Sequence, residues 1–153
     1  MTLNVSRFRF WFVLFTCWLT FGVSSAWAQT EGDVAELTTT ALSGEAESQY
    51  LLGRSYYRGE GVSEDYATAI MWYTRAAEQG HANAQFSLGN MYENGAGVPE
   101  DGTTAVMWYT KAAEQGHPIA QYNLGVMYDD GEGVPEDYAT AAKWYTKAAE
   151  QGI

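Results

Sequence analysis

Small and apolar residues recur along this chain at helical spacing, and the whole pattern then repeats every 36 residues. Over roughly 82–94, Ala84, Leu88, Gly89, Met91 and Tyr92 fall on one helical stripe. Gly95-Ala96-Gly97-Val98-Pro99 stops that helix, because glycine takes up the turn and proline cannot extend it. Asp101 predicts the N-cap of a second helix running to Gln115. That helix carries Ala105, Trp108, Ala112 and Ala113 on one face, and Gly116 stands where a terminating glycine belongs.

Shifting the sequence by 36 places Ala46–His81 on Ala82–His117 with 22 identities, and Ala82–His117 on Pro118–Ile153 with 23. Leu52-Gly53, Leu88-Gly89 and Leu124-Gly125 coincide, as do Trp72-Tyr73, Trp108-Tyr109 and Trp144-Tyr145. The spacing predicts an all-α solenoid of three helix pairs, over 46–81, 82–117 and 118–153. The first helix of each pair is called A here and the second B. Residues 29–45 carry half a unit, since Thr38, Ala41 and Gly44 fall on Thr74, Ala77 and Gly80 under the same shift. A lone B-type helix there would cap the apolar end of the first repeat. Nothing equivalent follows the last B helix, so Trp144, Ala148 and their neighbours are expected to face water or a second copy of the chain.

Residues 1–28 read as a secretory signal peptide. Arg7 and Arg9 precede an apolar run from Phe10 to Val23, and Ala26 and Ala28 occupy the positions a signal peptidase inspects. The run is shorter than the ~20 residues of a membrane span. Cleavage would leave Gln29 first and move the net charge from −11 to −13, because two basic and no acidic residues are lost. A surface this acidic disfavours nucleic acid and anionic lipid. The one cysteine, Cys17, lies in the apolar run, so the mature chain has no disulfide despite export to the periplasm or medium.

The repeats resemble the Sel1-like repeat family, relatives of the tetratricopeptide repeat. The resemblance rests on Ala82-Asn83-Ala84-Gln85, Leu88-Gly89, Met91-Tyr92, Gly95-Ala96-Gly97-Val98-Pro99, Asp101, Ala105, Trp108-Tyr109 and Ala112-Ala113-Glu114-Gln115-Gly116. Gly102 departs from the usual Tyr, Ser63 from the usual Pro, and Pro118 opens the third unit. The resemblance implies a right-handed α-superhelix acting as adaptor or scaffold, often in the bacterial envelope, with no single activity. A cysteine-rich branch is linked to β-lactam binding or hydrolysis. An envelope hydrolase or ligand-binding protein for a β-lactam or peptidoglycan-like substrate is therefore the rival reading, and the missing cysteines weaken it.

Little else suggests chemistry. His81 and His117 stand one repeat apart, too far to share a metal. Glu64-Asp65, Glu100-Asp101 and Glu136-Asp137 precede B helices, where an aspartate caps and a second acid suits the helix dipole. Asp129-Asp130-Gly131-Glu132 does not match an EF-hand loop. No cofactor, metal or catalytic residue is implied. The variable stripe of helix A remains. In the first unit it comprises Glu47, Tyr50, Arg54, Tyr57 and Arg58. The second contributes Asn83, Phe86, Asn90, Glu93 and Asn94, and the third Ile119, Tyr122, Val126, Asp129 and Asp130. Tyr50, Phe86 and Tyr122 would form an aromatic row along a concave groove suited to a protein or peptide segment. Charge grades along it from Arg54 and Arg58 to Asp129 and Asp130.

Overall fold

An aspartate or histidine opens five of the six repeat helices, and it does so through its side chain. Asp65 Oδ1 accepts from the backbone N–H of Ala67 and Thr68 at 3.0 and 3.2 Å, and its Oδ2 accepts from the Thr68 hydroxyl at 2.6 Å. Asp101 and Asp137 repeat the device with Thr104 and Thr140. His81 and His117 do the same work for two A helices, their Nδ1 atoms accepting from Ala84 N at 3.2 Å and Ala120 N at 3.1 Å. Each supplies an acceptor to a helix end that otherwise has unmet N–H groups. At the far end of the B helices Gly80 and Gly116 both take φ +88°, a left-handed turn that only glycine enters cheaply.

The computed structural model describes residues 33–153; the signal peptide expected at residues 1–28 lies outside them. Residues 33–42 form α1. The A helices are α2 (Ala46–Arg58), α4 (Ala82–Glu93) and α6 (Pro118–Asp130). The B helices are α3 (Tyr66–Glu78), α5 (Gly102–Glu114) and α7 (Tyr138–Ala149). The described residues contain no strand. The chain is an α-solenoid in which each helix packs on its neighbours in sequence.

Within a unit, the A and B helices meet at a glycine. A Cβ on Gly89 would stand 2.5 Å from Tyr109 Cδ1, and one on Gly53 or Gly125 would stand 2.7 Å from the ring of Tyr73 or Tyr145. The tyrosine ring therefore occupies the space a side chain would need. Around it Leu52, Leu88 and Leu124, with Ala69, Ala105 and Ala141, are buried almost completely.

Between units, a buried glutamine makes the junction. Gln85 Nε2 donates to the Ala77 carbonyl of the preceding B helix at 3.0 Å, and its Oε1 accepts from Gln115 Nε2 at 2.6 Å. Gln121 does the same with Ala113 and Gln151, and Gln49 with Ala41 and Gln79. The Gln49 bond ties α1 to the first repeat, and Val34, Leu37 and Ala41 of α1 pack with Leu52 and Trp72. One expectation needs correction. Ala148 is only 1% exposed, and Trp144 is half-buried against the core of the second and third units.

Two substitutions test these contacts. Ala for Gly gains up to about 1 kcal/mol of helix propensity, whereas overpacking a filled core costs about 1–3 kcal/mol. Gly89→Ala should therefore lower unfolding free energy by roughly 1–2 kcal/mol in urea titration. In a Tyr109→Leu background the same change should cost little; an equal cost would refute the ring contact. Gln85→Met keeps volume but removes the bonds to the Ala77 carbonyl and the Gln115 amide, each of which keeps a second partner in Gly80 N and the Lys111 carbonyl, and should cost about 0.5–1.5 kcal/mol.

Candidate partner-binding groove

Of the B tyrosines that close each unit, Tyr73 also floors a groove on the A-helix side. Tyr73 and Tyr109 are buried, and burial is the main reason their hydroxyls are pushed well above the ordinary tyrosine value. The Tyr109 hydroxyl lies 2.6 Å from both Asn90 Oδ1 and Glu93 Oε2 and donates to one at a time. The variable A-helix residues stand over these rings. Tyr50 lies 5.8 Å from Tyr73 between ring centres, Phe86 5.8 Å from Tyr109, and Tyr122 5.6 Å from Tyr145.

Of the aromatic row expected from Tyr50, Phe86 and Tyr122, the first two line one pocket and Tyr122 stands outside it. Tyr50 stacks on His81 at 4.8 Å and Phe86 on His117 at 4.5 Å. Each histidine thus opens the next A helix with one nitrogen and covers an aromatic face with its ring. His81 also holds Glu47 through Nε2 at 2.8 Å. Ile153 occupies the corresponding place after the third unit, so Tyr122 lacks that stacking partner and is 46% exposed.

One pocket, of about 310 Å³, is bounded by Tyr50, Arg54, Tyr57, Arg58, Tyr73, Asn83, Phe86, Ser87, Asn90, His117 and Ile119. Seven of these come from the predicted stripe in the first two units, and Ile119 extends it into the third. Glu93, Tyr122, Val126, Asp129 and Asp130 do not line it. Tyr73, Ser87 and His117 do, and were missed. Tyr73 and His117 are invariant or nearly so across the units, and Ser87 is a small residue between the groove residue Phe86 and the core residue Leu88. Nothing in their periodicity marks them as groove residues.

Several other polar residues serve the framework. Arg75, Lys111 and Lys147 lie 4.3–4.6 Å over the rings of Trp72, Trp108 and Trp144. The aspartates of the three acidic pairs are helix caps. Among the described residues no group of three or more His, Cys, Asp or Glu side chains is gathered closely enough to hold a metal. No helix there is long and apolar enough to cross a membrane.

The model of the Sel1 repeat matches residues 46–81, 82–117 and 118–153. This chain belongs to the Sel1 repeat family. A protective antigen of uropathogenic Escherichia coli strains displaying this repeat fold is 49% identical, with a TM-score of 0.77. That match covers 78% of this chain and 26% of the antigen, so the chain spans about a quarter of that protein. A Sel1 repeat protein from Oxalobacter formigenes is 44% identical with a TM-score of 0.73, covering 79% of this chain and 91% of its own. Cysteine-rich protein B of Helicobacter pylori shares the fold, with a TM-score of 0.66 at 22% identity, covering 81% and 92%. Comparison with curated proteins gives no match. Sel1 repeat proteins serve generally as protein–protein interaction scaffolds.

The caps set a pH response. Burial lowers the His117 value below its ordinary one, so the neutral ring that caps α6 is favoured in the fold. Its contribution to stability is complete above about pH 6.5 and is lost as pH falls through the depressed value. The carboxyls of Asp65, Asp101 and Asp137 are held low first by the threonine hydroxyl and then by the threonine backbone N–H. Their contribution is complete above about pH 3.9 and is lost only below that. Melting temperature should therefore fall in two steps on acidification. His117→Asn should remove the upper step and Asp101→Ala should reduce the lower one; a flat profile between pH 7 and 5 would overturn the histidine cap.

Proposed function

We propose that this Sel1 repeat protein is an exported, non-enzymatic adaptor that holds a segment of another protein on the A-helix side of its first two repeats. The observation that carries this reading is the pocket over Tyr73. It gathers Tyr50, Arg54, Tyr57, Arg58, Phe86 and Asn90 from positions that vary between repeats, while the framework beneath them barely changes. Framework residues are already spoken for by caps, glutamine bonds and ring contacts. Residues free to vary over a fixed floor are suited to selecting a partner.

The groove also suits a polypeptide physically. Tyr50, Tyr57 and Phe86 offer large apolar area with little rotamer entropy to lose, and Asn83, Ser87 and Asn90 offer neutral donors and acceptors for a peptide backbone. Export rests on the basic start, the apolar run and the Ala26 and Ala28 cleavage positions.

Affinity capture from an envelope fraction tests the adaptor. The Tyr50→Ala/Phe86→Ala/Tyr122→Ala variant should lose the proteins that the parent retains, while Met107→Ala, a change to an exposed methionine of α5, should keep them. A folded triple variant with unchanged partners would refute the groove. N-terminal sequencing of the exported chain should begin at Gln29.

A further inference from the structure

We propose that the pocket between the first two repeats recognises a carboxylate side chain, Asp or Glu, on an extended segment of the partner, with Arg54 as the anchor and Arg58 beside it. The proposal rests on the groove reading above and names what that groove selects.

The cations themselves point this way. Six basic residues fall among the described ones, since Arg7 and Arg9 precede them. Three of the six, Arg75, Lys111 and Lys147, lie over the tryptophan of their own B helix, one in each repeat. Arg54 and Arg58 break that pattern and line one pocket together. A chain this acidic has thus placed two of its few cations side by side.

The fold does not require them. The positions of Arg54 and Arg58 are Asn90 and Asn94 in the second repeat and Val126 and Asp130 in the third, within the same framework. Nor is Arg54 satisfied by the protein. Its Nε–H is shut off from solvent and meets no acceptor among the described residues. An unmet donor on a charged group is costly, and native structures seldom keep one without a use. Arg58 makes only an exposed contact with Glu60 at 3.4 Å, a pair of little strength.

The surroundings fit a carboxylate. No acidic residue lines the pocket, and its other polar groups are neutral. Tyr50, Tyr57 and Phe86 line the same pocket with apolar surface, and such surface strengthens a charge-assisted hydrogen bond by keeping water away. A small swing of Arg54 would present Nε and one Nη side by side, the fork that matches two carboxylate oxygens. Further along the same stripe the charge reverses at Asp129 and Asp130. A segment with an acid at one end and a base towards the other would lie in one direction only.

A random dodecapeptide library displayed on phage, with its peptide C-termini fused, tests this on the mature chain. Selection should enrich Asp or Glu next to an apolar residue. The Arg54→Asn/Arg58→Asn variant transplants the second repeat's own residues, so it should melt with the parent and lose that enrichment. A selected peptide resynthesised with Gln for Glu should bind roughly ten-fold or more weakly, whereas amidating its C-terminus should change little. Peptides selected without acidic bias, or with a bias the variant keeps, would overturn the carboxylate site and leave the groove standing. Selection of no peptide would overturn both.

Discussion

Each unit of this solenoid is closed by a tyrosine ring lying where a side chain would otherwise project from helix A. The approach at Gly53, Gly89 and Gly125 leaves no room for even a methyl group, so the distance between the two helices is fixed by a contact of ring on backbone. Leucine and alanine positions on either side then pack at the spacing this contact dictates. The same ring has a second face. Tyr73 is a core residue from below and groove floor from above, so the geometry that makes the fold rigid also fixes the height of the surface on which a partner would rest.

A division of labour follows from this. Asp caps, glutamine junctions and the tryptophan–cation pairs recur from one repeat to the next and hold the scaffold. The A-helix stripe is where the units differ most. There the three units carry Arg-Tyr-Arg, Asn-Glu-Asn and Val-Asp-Asp at matching places, a change of charge sign over identical scaffolding. The asymmetry of the groove is therefore a property of side chains alone, superimposed on a symmetric backbone.

The 36-residue period made helix number, helix limits to within a residue or two, and the core face legible, because Leu-Gly and Trp-Tyr recur at fixed offsets. Four of the pocket residues in the first unit were legible for the opposite reason, since they vary where the framework does not. The roles of His81 and His117 were not. A histidine one place beyond a glycine carries no periodic mark, and only the folded chain shows its ring covering Tyr50 or Phe86 while its nitrogen caps a helix. Gln85 was equally silent. A polar residue at a core register looks like an error in a pattern until the carbonyl that needs it is brought near, and Ala77 lies eight residues back on another helix. Ala148 was misjudged because an end unit seems open when only its place in the chain is considered.

The glutamine junction also bears on how such chains change length. Every interface uses the same donor, the same acceptor and the same alanine carbonyl, at Gln49, Gln85 and Gln121 alike. A duplicated block of 36 residues would find its bonds already matched on both sides, with no compensating change elsewhere. Duplication can thus lengthen the array at almost no structural risk, and each added unit brings a fresh set of unconstrained groove positions on which selection can act.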